Sequence, residues 1–474
     1  MQNRPKITLI SSIFAIIILL GLNIVPITTV EAVTADNLPW DSNDEGDHYP
    51  CGYEIWCYHA SLTLENGQKW DSAATFVYFM SKTRRGYSKD GLSYCRIRQW
   101  DRQTGKFYDD FQSDKFPGPF HTEKNVMNLT YYNNTAKGLY PDYSFHCEDD
   151  KNNIAIDLQC HATSSPCWLL KDPTKGILPW GLSGTGRVYF IPMLQVAGKI
   201  SINGTSYNAT GVAYYEHDFV NCDFARPLAF YSLKELRNNL KLISSVAKWW
   251  ASEVINNRPK QSPALHLSND YFIGWCWSWI AFDNGWSMVM FRPTISELVE
   301  YLVPAFLYLT KDGKNYTEIG CVYWKNNDVK YIERADIYIP VGFNVTGYKG
   351  DMKLEISFTP TTEMTELFNK DFSSSSKQES CTFYCCGNVT GRYTDKENNI
   401  TLKGYYSIEQ TRWISALSKN LRHLSLDVET LLPPEGLGIS IRRVSHLIGI
   451  EEYFKIQLKP KFDFKFYVRR APDN

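Results

Sequence analysis

Apolar and polar residues alternate along most of this chain with the period of two that β-strands show. The alternation is regular over residues 156–160 and 352–358, where every second residue is apolar. Turn sequences separate such runs in the manner of hairpin loops, at Asn66-Gly67, Asn284-Gly285 and Asp312-Gly313. Many short strands with frequent turns predict an all-β protein built from antiparallel barrels or sandwiches. Strand–helix alternation and a GxGxxG motif are both missing, which excludes a Rossmann sheet.

Two segments have helical spacing instead. From Ser232 to Ile255, apolar residues recur every three or four positions and polar residues occupy the opposite side, which predicts an amphipathic helix. We interpret it as a helix that packs on a sheet; the alternatives are a lid over a ligand pocket and a helix lying on a membrane surface. Near the end of the chain, residues 413–426 also predict a helix, and residues 462–468 alternate as a terminal strand.

The first 35 residues have the organisation of a targeting segment. Arg4 and Lys6 precede an apolar run from Ile7 to Val25, and small residues lead up to Ala35. A basic flank, an apolar core and small residues at a cleavage site are typical of a secretory signal peptide. We therefore predict removal of residues 1–35 and a secreted, extracellular protein. The alternative is an uncleaved anchor, because nineteen mostly apolar residues are just long enough to span a bilayer.

Cysteine content and glycosylation motifs agree with export. Twelve cysteines, an even number, predict a protein stabilised by disulfide bonds in an oxidising compartment. The adjacent Cys385 and Cys386 are expected to reach separate partners. Eight Asn-x-Ser/Thr motifs predict a glycoprotein, at Asn128, Asn133, Asn203, Asn208, Asn315, Asn344, Asn388 and Asn399.

Composition narrows the classes of partner. The 474 residues carry 50 Lys and Arg against 51 Asp and Glu, so the net charge is −1. A chain without surplus positive charge is poorly suited to neutralising phosphates, and we predict no nucleic-acid partner. Aromatic residues make up 15% of the chain. That is enough both to fill a core and to line a site for a large apolar ligand.

Three stretches carry candidate chemistry. In the first, strand parity places Glu54, Trp56 and Tyr58 on one face of a strand that leads into the Asn66-Gly67 turn. A carboxyl group beside an indole and a phenol is either the wall of a ligand site or the packed end of a barrel strand. From the residues alone the structural interpretation is the stronger one, because aromatic residues favour strands in any case.

The second stretch, Gly211 to Phe219, holds three consecutive ionisable residues within an aromatic strand. Glu216 and Asp218 share a face about 6.5–7 Å apart, and His217 points to the other face. They are either catalytic groups, or two solvent-facing acids and a hydrogen-bonded core histidine. The third stretch places three indoles on one face of a strand, which is either an aromatic core or the wall of a cavity, at Trp275, Trp277 and Trp279.

In this order the stretches resemble the hydroxyneurosporene synthase family, also called carotenoid 1,2-hydratases or CrtC–AttH proteins. Family members have a Glu-Trp-Trp strand, a Gly-x-Ala-Trp-Met-Asp-His-Glu-Trp strand and a Gly-Trp-Asp-Trp strand. The counterparts here, with further matching landmarks, are residues 54–56, 189–194, 211–219, 274–277, 338–340 and 404–405. The resemblance covers roughly residues 53–408.

The resemblance implies two lipocalin-like β domains that enclose an apolar cavity. It also implies hydration of an isolated double bond in an isoprenoid or prenylated molecule, without a cofactor. Glu216 and Asp218 would then be the acids that protonate the alkene, and His217 would orient one of them or the water. The substrate-contacting residues on this interpretation are Glu54, Trp56, Tyr58, Tyr214, Trp275, Trp277 and Trp279.

One departure from the family bears on activity. The Asp-His-Glu order of the family is Glu-His-Asp at residues 216–218 here, which moves each carboxylate by about one methylene. A displacement near 1 Å costs about a hundredfold in rate where positioning matters. The alternative function is a non-catalytic lipocalin-type carrier of apolar ligands, in which both acids turn to water. A surface-recognition protein without a ligand-sized cavity is a third.

These observations predict a hydrophobic small molecule as the partner of the protein. They also predict how the chain divides into segments. Membrane contact is expected, if at all, through the helix at residues 232–255 or an uncleaved N-terminal anchor. No metal site is predicted, because disulfide bonding is the commoner use of Cys147 and Cys160 in a secreted chain, even though His146 and His161 adjoin them. The segments are a signal peptide (1–35), an N-terminal lipocalin-like β domain (36–224), a helical insert (225–268), a C-terminal lipocalin-like β domain (269–410) and a C-terminal extension of a helix plus a β-hairpin (411–474).

Overall fold

The computed structural model of the protein describes most of the chain between residues 40 and 468. The predicted signal peptide and the alternative anchor lie outside the described residues. Within the described part, no helix has both the length and the apolar composition that crossing a membrane requires. The described residues are 40–83, 85–180, 182–223, 231–257, 259, 265–267, 273–294, 301–332, 337–362, 365–369, 380–413, 424–431, 438–445, 450–453, 455–458 and 462–468.

The first sheet is antiparallel, has thirteen strands and curls into a nearly closed barrel, here called the N-terminal barrel. A 3-10 helix, Ser42–Glu45, precedes it, and a one-turn helix α1, Lys171–Thr174, interrupts it. Its strands are β1 Tyr53–Leu64, β2 Lys69–Thr83, β3 Gly86–Asp101, β4 Lys106–Phe116, β5 Phe120–His121, β6 Met127–Tyr131, β7 Asn134–Leu139, β8 Asp142–Asp149, β9 Ile154–Ala162, β10 Cys167–Trp168, β11 Leu178–Trp180, β12 Gly184–Ile202 and β13 Thr205–Asn221. Their order is β4-β3-β2-β1-β13-β12-β9-β8-β7-β6-β5, with β10 and β11 both paired to β12.

A long helix, α2 (Leu233–Asn257), follows the barrel at the position that the apolar periodicity predicts, and β14 (Leu265–Leu267) comes after it. The helix contacts both halves of the molecule. Its Asn239 side chain donates to the carbonyl of Gly184 in the N-terminal barrel over 2.8 Å. Its Trp249 stacks on Phe306 of the second sheet with ring centroids 5.6 Å apart. The helix therefore packs on the sheets, as the first of the three interpretations holds.

The second sheet has eleven strands and forms a half-barrel, here called the C-terminal half-barrel. Its strands are β15 Ile273–Phe282, β16 Ser287–Thr294, β17 Tyr301–Val303, β18 Phe306–Thr310, β19 Tyr316–Ile319, β20 Cys321–Ile332, β21 Ile337–Lys349, β22 Met352–Pro360, β23 Thr365–Asn369, β24 Ser380–Thr394 and β25 Asn399–Trp413. Their order is β17-β20-β21-β22-β24-β25-β15-β16-β18-β19, with β23 on β24. Two such antiparallel sheets confirm the predicted all-β, lipocalin-like fold class.

The end of the chain adds a six-stranded sheet, which differs in part from the prediction. The helix expected over residues 413–426 is absent at both ends, because Trp413 belongs to β25 and residues 424–426 to a strand; residues 414–423 lie outside the described part. The terminal strand at residues 462–468 is confirmed. The sheet has the order β14-β26-β27-β28-β30-β29, with β26 Leu424–Leu431, β27 Gly438–Ser445, β28 Ile450–Tyr453, β29 Lys455–Leu458 and β30 Phe462–Val468.

The predicted hairpin turns are present, and each uses a glycine for the same reason. Gly67 between β1 and β2, Gly285 between β15 and β16, and Gly313 between β18 and β19 have φ angles of 85°, 84° and 74°. Residues with a Cβ atom rarely adopt these positive φ angles, whereas glycine adopts them without a steric cost. The turn signals in the sequence thus fix where these strands reverse.

The register of β1 against β13 decides which residues face the barrel interior. Trp56 pairs with His217 and Tyr58 pairs with Tyr215, and these residues belong to the core inside the N-terminal barrel or contact it. The alternate pairs, Ile55 with Asp218 and Cys57 with Glu216, lie on the outer face. That outer face meets the C-terminal half-barrel, and the two sheets share an apolar core that includes Phe190, Tyr214, Trp279 and Tyr308.

None of the eleven cysteines whose side chains the structure describes forms a disulfide bond. Ten of them are buried and Cys57 is half-buried. Disulfide bonding is therefore not observed in the described part of the chain. The cysteines serve there as small apolar residues, a role for which a free thiol is well suited.

Candidate functional site

A cleft separates the outer face of the N-terminal barrel from the C-terminal half-barrel. The part of this cleft that the centre of a water molecule can occupy has a volume of about 100 Å³. This volume is several times what one ordered water needs. Residues of β1, β2, β3, β12 and β13 form one wall, and residues of β15, β16, β24 and β25 form the other. The residues that the following paragraphs use are Ile55, Cys57, Thr75, Arg98, Glu216, Asp218, Trp275, Trp277, Tyr384, Glu409 and Thr411.

Glu216 on β13 is the best-positioned acid of the cleft. The Tyr214 hydroxyl donates a hydrogen bond to Glu216 Oε2, and the indole nitrogen of Trp277 donates to the Tyr214 oxygen over 2.8 Å. The pKa of Glu216 is raised to about 8, mainly by burial; the Tyr214 hydrogen bond lowers it and the neighbouring Glu409 raises it within that result. A carboxyl group of this kind is neutral at pH 7 and holds a proton that it can give away.

Asp218 lies two residues further along the same face and also lines the cleft. Burial, and then the charges of Glu216 and Glu409, raise the pKa of Asp218 well above its usual range. Its Oδ1 atom has no hydrogen-bond partner among the described residues. Carboxyl groups that share a site resist ionising together, so at most one of this pair is charged near neutral pH.

Glu409 on β25 brings a third carboxyl group to the cleft from the opposite wall. It accepts three hydrogen bonds: from the Trp275 indole nitrogen at 3.2 Å, from the Tyr384 hydroxyl at 2.5 Å and from the Thr411 hydroxyl at 3.1 Å. Glu409 is the acceptor in each of these three contacts, which is the role of a group that takes up protons rather than supplies them. Glu409 is therefore suited to receive a proton, whereas Glu216 is suited to donate one.

Arg98 on β3 supplies positive charge to this group of acids. Its side chain donates from Nη2 to Thr75 Oγ1 over 2.8 Å, and its guanidinium carbon lies 3.8 Å from the centre of the Tyr384 ring. Arg98 lowers the pKa of Glu216, an effect smaller than that of burial. It is 2% exposed, so its charge acts from beneath the wall of the cleft.

The three tryptophans predicted on one face of β15 all point toward the N-terminal barrel, so this face of β15 belongs to the wall of the cleft. Trp275 and Trp277 line the space directly. Trp279 is buried behind them, where its indole nitrogen donates to the carbonyl of Pro192 over 2.7 Å and its ring stacks with Tyr214 at 5.9 Å. Aromatic faces of this kind stabilise positive charge that develops beside them.

The other predicted site residues lie on the far side of β1 and β13, inside the N-terminal barrel. Glu54, Trp56 and His217 are each at most 1% exposed. His217 contacts Glu54 and the carbonyl of Asp44 rather than Glu216 or Asp218. Tyr58 is also inside, with its hydroxyl 3.2 Å from Ser72 Oγ. The structure therefore brings together Glu216, Asp218, Tyr214 and the tryptophans, but not His217, Glu54, Trp56 or Tyr58.

The geometry does not support a zinc site formed by the two adjacent His and Cys pairs, which are His146, Cys147, Cys160 and His161. His146 and His161 lie on the outer surface of the barrel and bind Asp157 and Asp142 through Nδ1, each at 2.8 Å. Cys147 and Cys160 are buried in the core on the opposite face. Successive side chains of a strand point to opposite faces, so these residues do not converge on one ion.

Arg98 and Tyr384 are among the residues of the cleft that were not predicted. They come from β3 and β24, which are far apart in the sequence. Arg98 has one usable signal, because it lies two residues after Arg96 and so on the same face of a strand. Inside the barrel, Glu45 was not predicted either; its carboxyl group accepts hydrogen bonds from Tyr189 at 2.7 Å and Tyr215 at 3.3 Å.

No protein-family model and no curated protein sequence matches this chain. Its structure is similar to that of a protein assigned as AttH from Nitrosomonas europaea, with a TM-score of 0.51, 17% identity, and coverage of 80% of this chain and 98% of that one. It is also similar to kievitone hydratase from Nectria haematococca, with a TM-score of 0.51, 10% identity, and coverage of 80% and 94%. The protein therefore has the AttH-like, lipocalin-like fold.

Proposed function

We propose that the protein adds water to a carbon–carbon double bond at the end of an isoprenoid or prenyl chain held in the cleft. The observation that supports this most is the convergence of three carboxyl groups, Glu216, Asp218 and Glu409, on a space walled by Trp275 and Trp277. An apolar cleft with an acid, a base and aromatic faces fits the demands of alkene protonation. A protein of the same fold carries the name kievitone hydratase, which is in keeping with the proposal.

In the first step the carboxylic acid of Glu216 transfers its proton to the less substituted alkene carbon. The π electrons form the new C–H bond, and a tertiary carbocation remains at the other carbon. The ring faces of Trp275 and Trp277 stabilise this cation because their π electrons face it. The hydrogen bond from Tyr214 keeps the acid in place during the transfer, and a displacement near 1 Å would cost about a hundredfold in rate.

In the second step a water molecule forms the C–O bond to the cation and gives up one proton to the Glu409 carboxylate. Asp218, with an oxygen that has no partner among the described residues, is suited to orient that water. Proton return from Glu409 to Glu216 through water restores the starting state. The balance is one alkene and one water consumed for one tertiary alcohol, with no oxidant or reductant.

The main alternative is a carrier of apolar molecules. A carrier gains nothing from raised-pKa acids in its binding space, since burying each carboxyl group costs free energy. Glu216 and Asp218 line the same space as Trp275 and Trp277 rather than facing solvent on another surface. This arrangement favours a hydratase over a carrier protein. The experiment in the next paragraph distinguishes the two functions.

The test is incubation of the full-length protein with a panel of prenylated and isoprenoid compounds in water labelled with ¹⁸O. We expect a product two mass units heavier than the same alcohol formed in ordinary water. We expect Glu216→Gln to lower the rate at least about 100-fold, the loss typical of a missing general acid. Glu355→Gln is the matched control, because the Glu355 side chain is 45% exposed on β22 and pairs with Lys353. A retained compound without label in the wild type would overturn the proposal in favour of a carrier.

We also include secretion and glycosylation in the proposed function. Six of the eight glycosylation motifs have an exposed asparagine, and Asn128 and Asn344 are half-buried, so none is sealed in a core. Intact-mass measurement and N-terminal sequencing of protein recovered from the medium of an expressing culture test this part. A new N terminus near residue 36 and a mass lowered by a glycosidase are the expected results; a full-length, cell-bound chain would contradict them.

A further inference from the structure

A second polar cluster lies inside the N-terminal barrel, on the opposite face of β13 from the cleft. Three side chains meet there: His48, which precedes β1, Glu54 on β1, and His217 on β13. Their nearest nitrogen and oxygen atoms lie within 4.8 Å of one another. The proposed hydration uses none of these three residues.

Both imidazole rings of the cluster direct a nitrogen at the same oxygen of Glu54. Its Oε1 lies 2.8 Å from His48 Nδ1 and 2.9 Å from His217 Nε2. The backbone nitrogen of His48 is 3.0 Å from each of the two carboxylate oxygens, so its hydrogen bond is shared between them. A cation among the three side chains would be bound by this oxygen and by one or both imidazole nitrogens.

The tautomer of His217 also favours a cation beside Glu54. Its Nδ1 lies 2.9 Å from the carbonyl oxygen of Asp44, a group that only accepts hydrogen bonds. A neutral imidazole has a single N–H, so when Nδ1 donates to Asp44, the lone pair of Nε2 faces the carboxylate of Glu54. Two lone pairs facing each other at 2.9 Å need a proton or a metal ion between them. Donation of the second imidazole nitrogen to a backbone carbonyl is the usual arrangement of a metal-bound histidine.

The side chains around the cluster hold its members in fixed positions. The His217 ring stacks on Trp56 with centroids 4.5 Å apart, and the His48 ring stacks on Phe219 at 3.6 Å. The Tyr78 hydroxyl donates to the second oxygen of Glu54 over 2.6 Å. Such outer contacts set the orientation of metal ligands and strengthen binding.

Charge and access are also suitable. Glu54 is fully buried, and its ion pairs among the described residues are with His48 and His217, without a lysine or arginine. A buried carboxylate needs a counter-charge, and a divalent ion supplies one without protonating either imidazole. The side chain of His48 is 26% exposed, which gives an ion a route to the site from the barrel mouth.

We propose that His48, Glu54 and His217 form a binding site for a divalent transition-metal ion of the zinc type. Two imidazoles and one carboxylate are the ligands that such ions prefer. Metal–ligand bonds of about 2.0–2.2 Å span an N···O separation near 2.8 Å at an angle of roughly 90°. That angle places each imidazole nitrogen next to Glu54 Oε1 around a five- or six-coordinate ion, with other positions open to water.

The experiment uses the full-length protein, dialysed against a chelator and titrated with Zn²⁺ and Co²⁺ by calorimetry and visible absorption. We expect one equivalent of Zn²⁺ to bind, and a weak Co²⁺ spectrum of the five- or six-coordinate type. We expect His48→Gln to lower the affinity at least about 100-fold, and Tyr78→Phe, which removes only a hydroxyl, to lower it about 10–100-fold. His161→Gln is the matched control, because His161 binds Asp142 on the barrel surface.

Tryptophan fluorescence checks that each variant is folded, and Tyr78→Phe keeps the test valid if His48→Gln is not. No Zn²⁺ bound by the wild type at 100-fold excess would overturn the proposal and leave an imidazolium as the counter-charge of Glu54. Full binding in both His48→Gln and Tyr78→Phe, or binding lost in His161→Gln, would overturn it in favour of a surface site. The cluster and the cleft lie on opposite faces of β13, so this result is independent of the hydration assay.

Discussion

The indole nitrogen of Trp277 in the C-terminal half-barrel lies 2.8 Å from the hydroxyl oxygen of Tyr214 in the N-terminal barrel. The Tyr214 hydroxyl in turn donates to Glu216. The orientation of the proposed acid therefore depends on a residue of the opposite sheet. This contact makes the two sheets one functional unit, since neither sheet alone fixes the carboxyl group.

Replacing Trp277 by phenylalanine tests this dependence. The variant keeps an aromatic ring in the wall but loses the N–H that holds Tyr214, so Glu216 is less well oriented. We expect kcat to fall by about tenfold, which equals about 1.4 kcal/mol in the barrier, with a smaller change in KM. Trp286→Phe is the control, because Trp286 packs against Tyr393 at 5.2 Å in a distant turn of the same sheet. An unchanged kcat in Trp277→Phe would show that the contact has no part in positioning the acid.

Trp275 tests the stabilisation of the carbocation. Trp275→Phe retains a ring face, whereas Trp275→Leu removes it, and both variants lose the hydrogen bond to Glu409. Because a cation–π contact in a desolvated site contributes about 0.5–2 kcal/mol, we expect Leu to be slower than Phe by about 2–30-fold in kcat. Steady-state kinetics of the two variants provide the ratio. Equal rates would mean that the ring does not face developing charge.

Glu318 connects the two sheets in a pH-dependent way. It accepts hydrogen bonds from the Tyr308 hydroxyl at 2.7 Å and from the backbone of Asp172 at 2.9 Å, and Tyr308 accepts from the backbone of Leu170 at 2.8 Å. Burial, followed by the charge of Asp172, raises the pKa of Glu318 to about 8. A raised folded-state pKa gives stability that is fully present below the unfolded pKa of about 4.5 and is lost as the pH rises to about 8.

Glu318→Gln should therefore flatten the pH dependence of stability. Glutamine stays neutral at every pH, so we expect the decrease in free energy of unfolding between pH 5 and pH 8 to be smaller, by an amount on the order of a few kcal/mol. Urea unfolding at both pH values measures it, with Glu355→Gln as the exposed control. The same decrease in wild type and Glu318→Gln would contradict the role of this carboxyl group.

The free cysteines make a direct prediction about redox state. The structure describes the side chains of eleven cysteines, and none of them forms a disulfide bond. We expect each of them to react with an alkylating reagent when the protein is unfolded without prior reduction, and mass spectrometry of the peptides counts them. Unmodified pairs that appear only after reduction would show that disulfide bonds form and would restore the expectation from the cysteine count.

Strand parity was enough to predict much of the site. The alternation along β13 places Glu216 and Asp218 on one face and His217 on the other, and the alternation along β15 places three indoles together, as the structure has them. Parity defines two faces without telling which one meets the other sheet. On β1 the family resemblance implied that Glu54, Trp56 and Tyr58 contact the substrate, whereas Ile55 and Cys57 line the cleft.

Other parts of the site depend on long-range pairing that no local pattern encodes. Arg98 and Tyr384 come within 3.8 Å only because β3 and β24 approach across the cleft. The order of strands in each sheet determines that approach, and one sequence does not define it. The alternation and the family resemblance predicted a lipocalin-like all-β class but no strand order, which is why the fold class was predicted more completely than the residues around Glu216.

The most direct test of proton donation by Glu216 is hydration of a responsive prenyl compound in D₂O. We expect the product to carry one solvent deuterium on the carbon adjacent to the carbinol carbon. Wild type and Glu355→Gln should form it, and Glu216→Gln should form it at a rate at least about 100-fold lower. NMR and mass spectrometry of the product locate and count the label. Alcohol formed at an unchanged rate by Glu216→Gln, or alcohol without deuterium at that carbon, would contradict proton donation by Glu216.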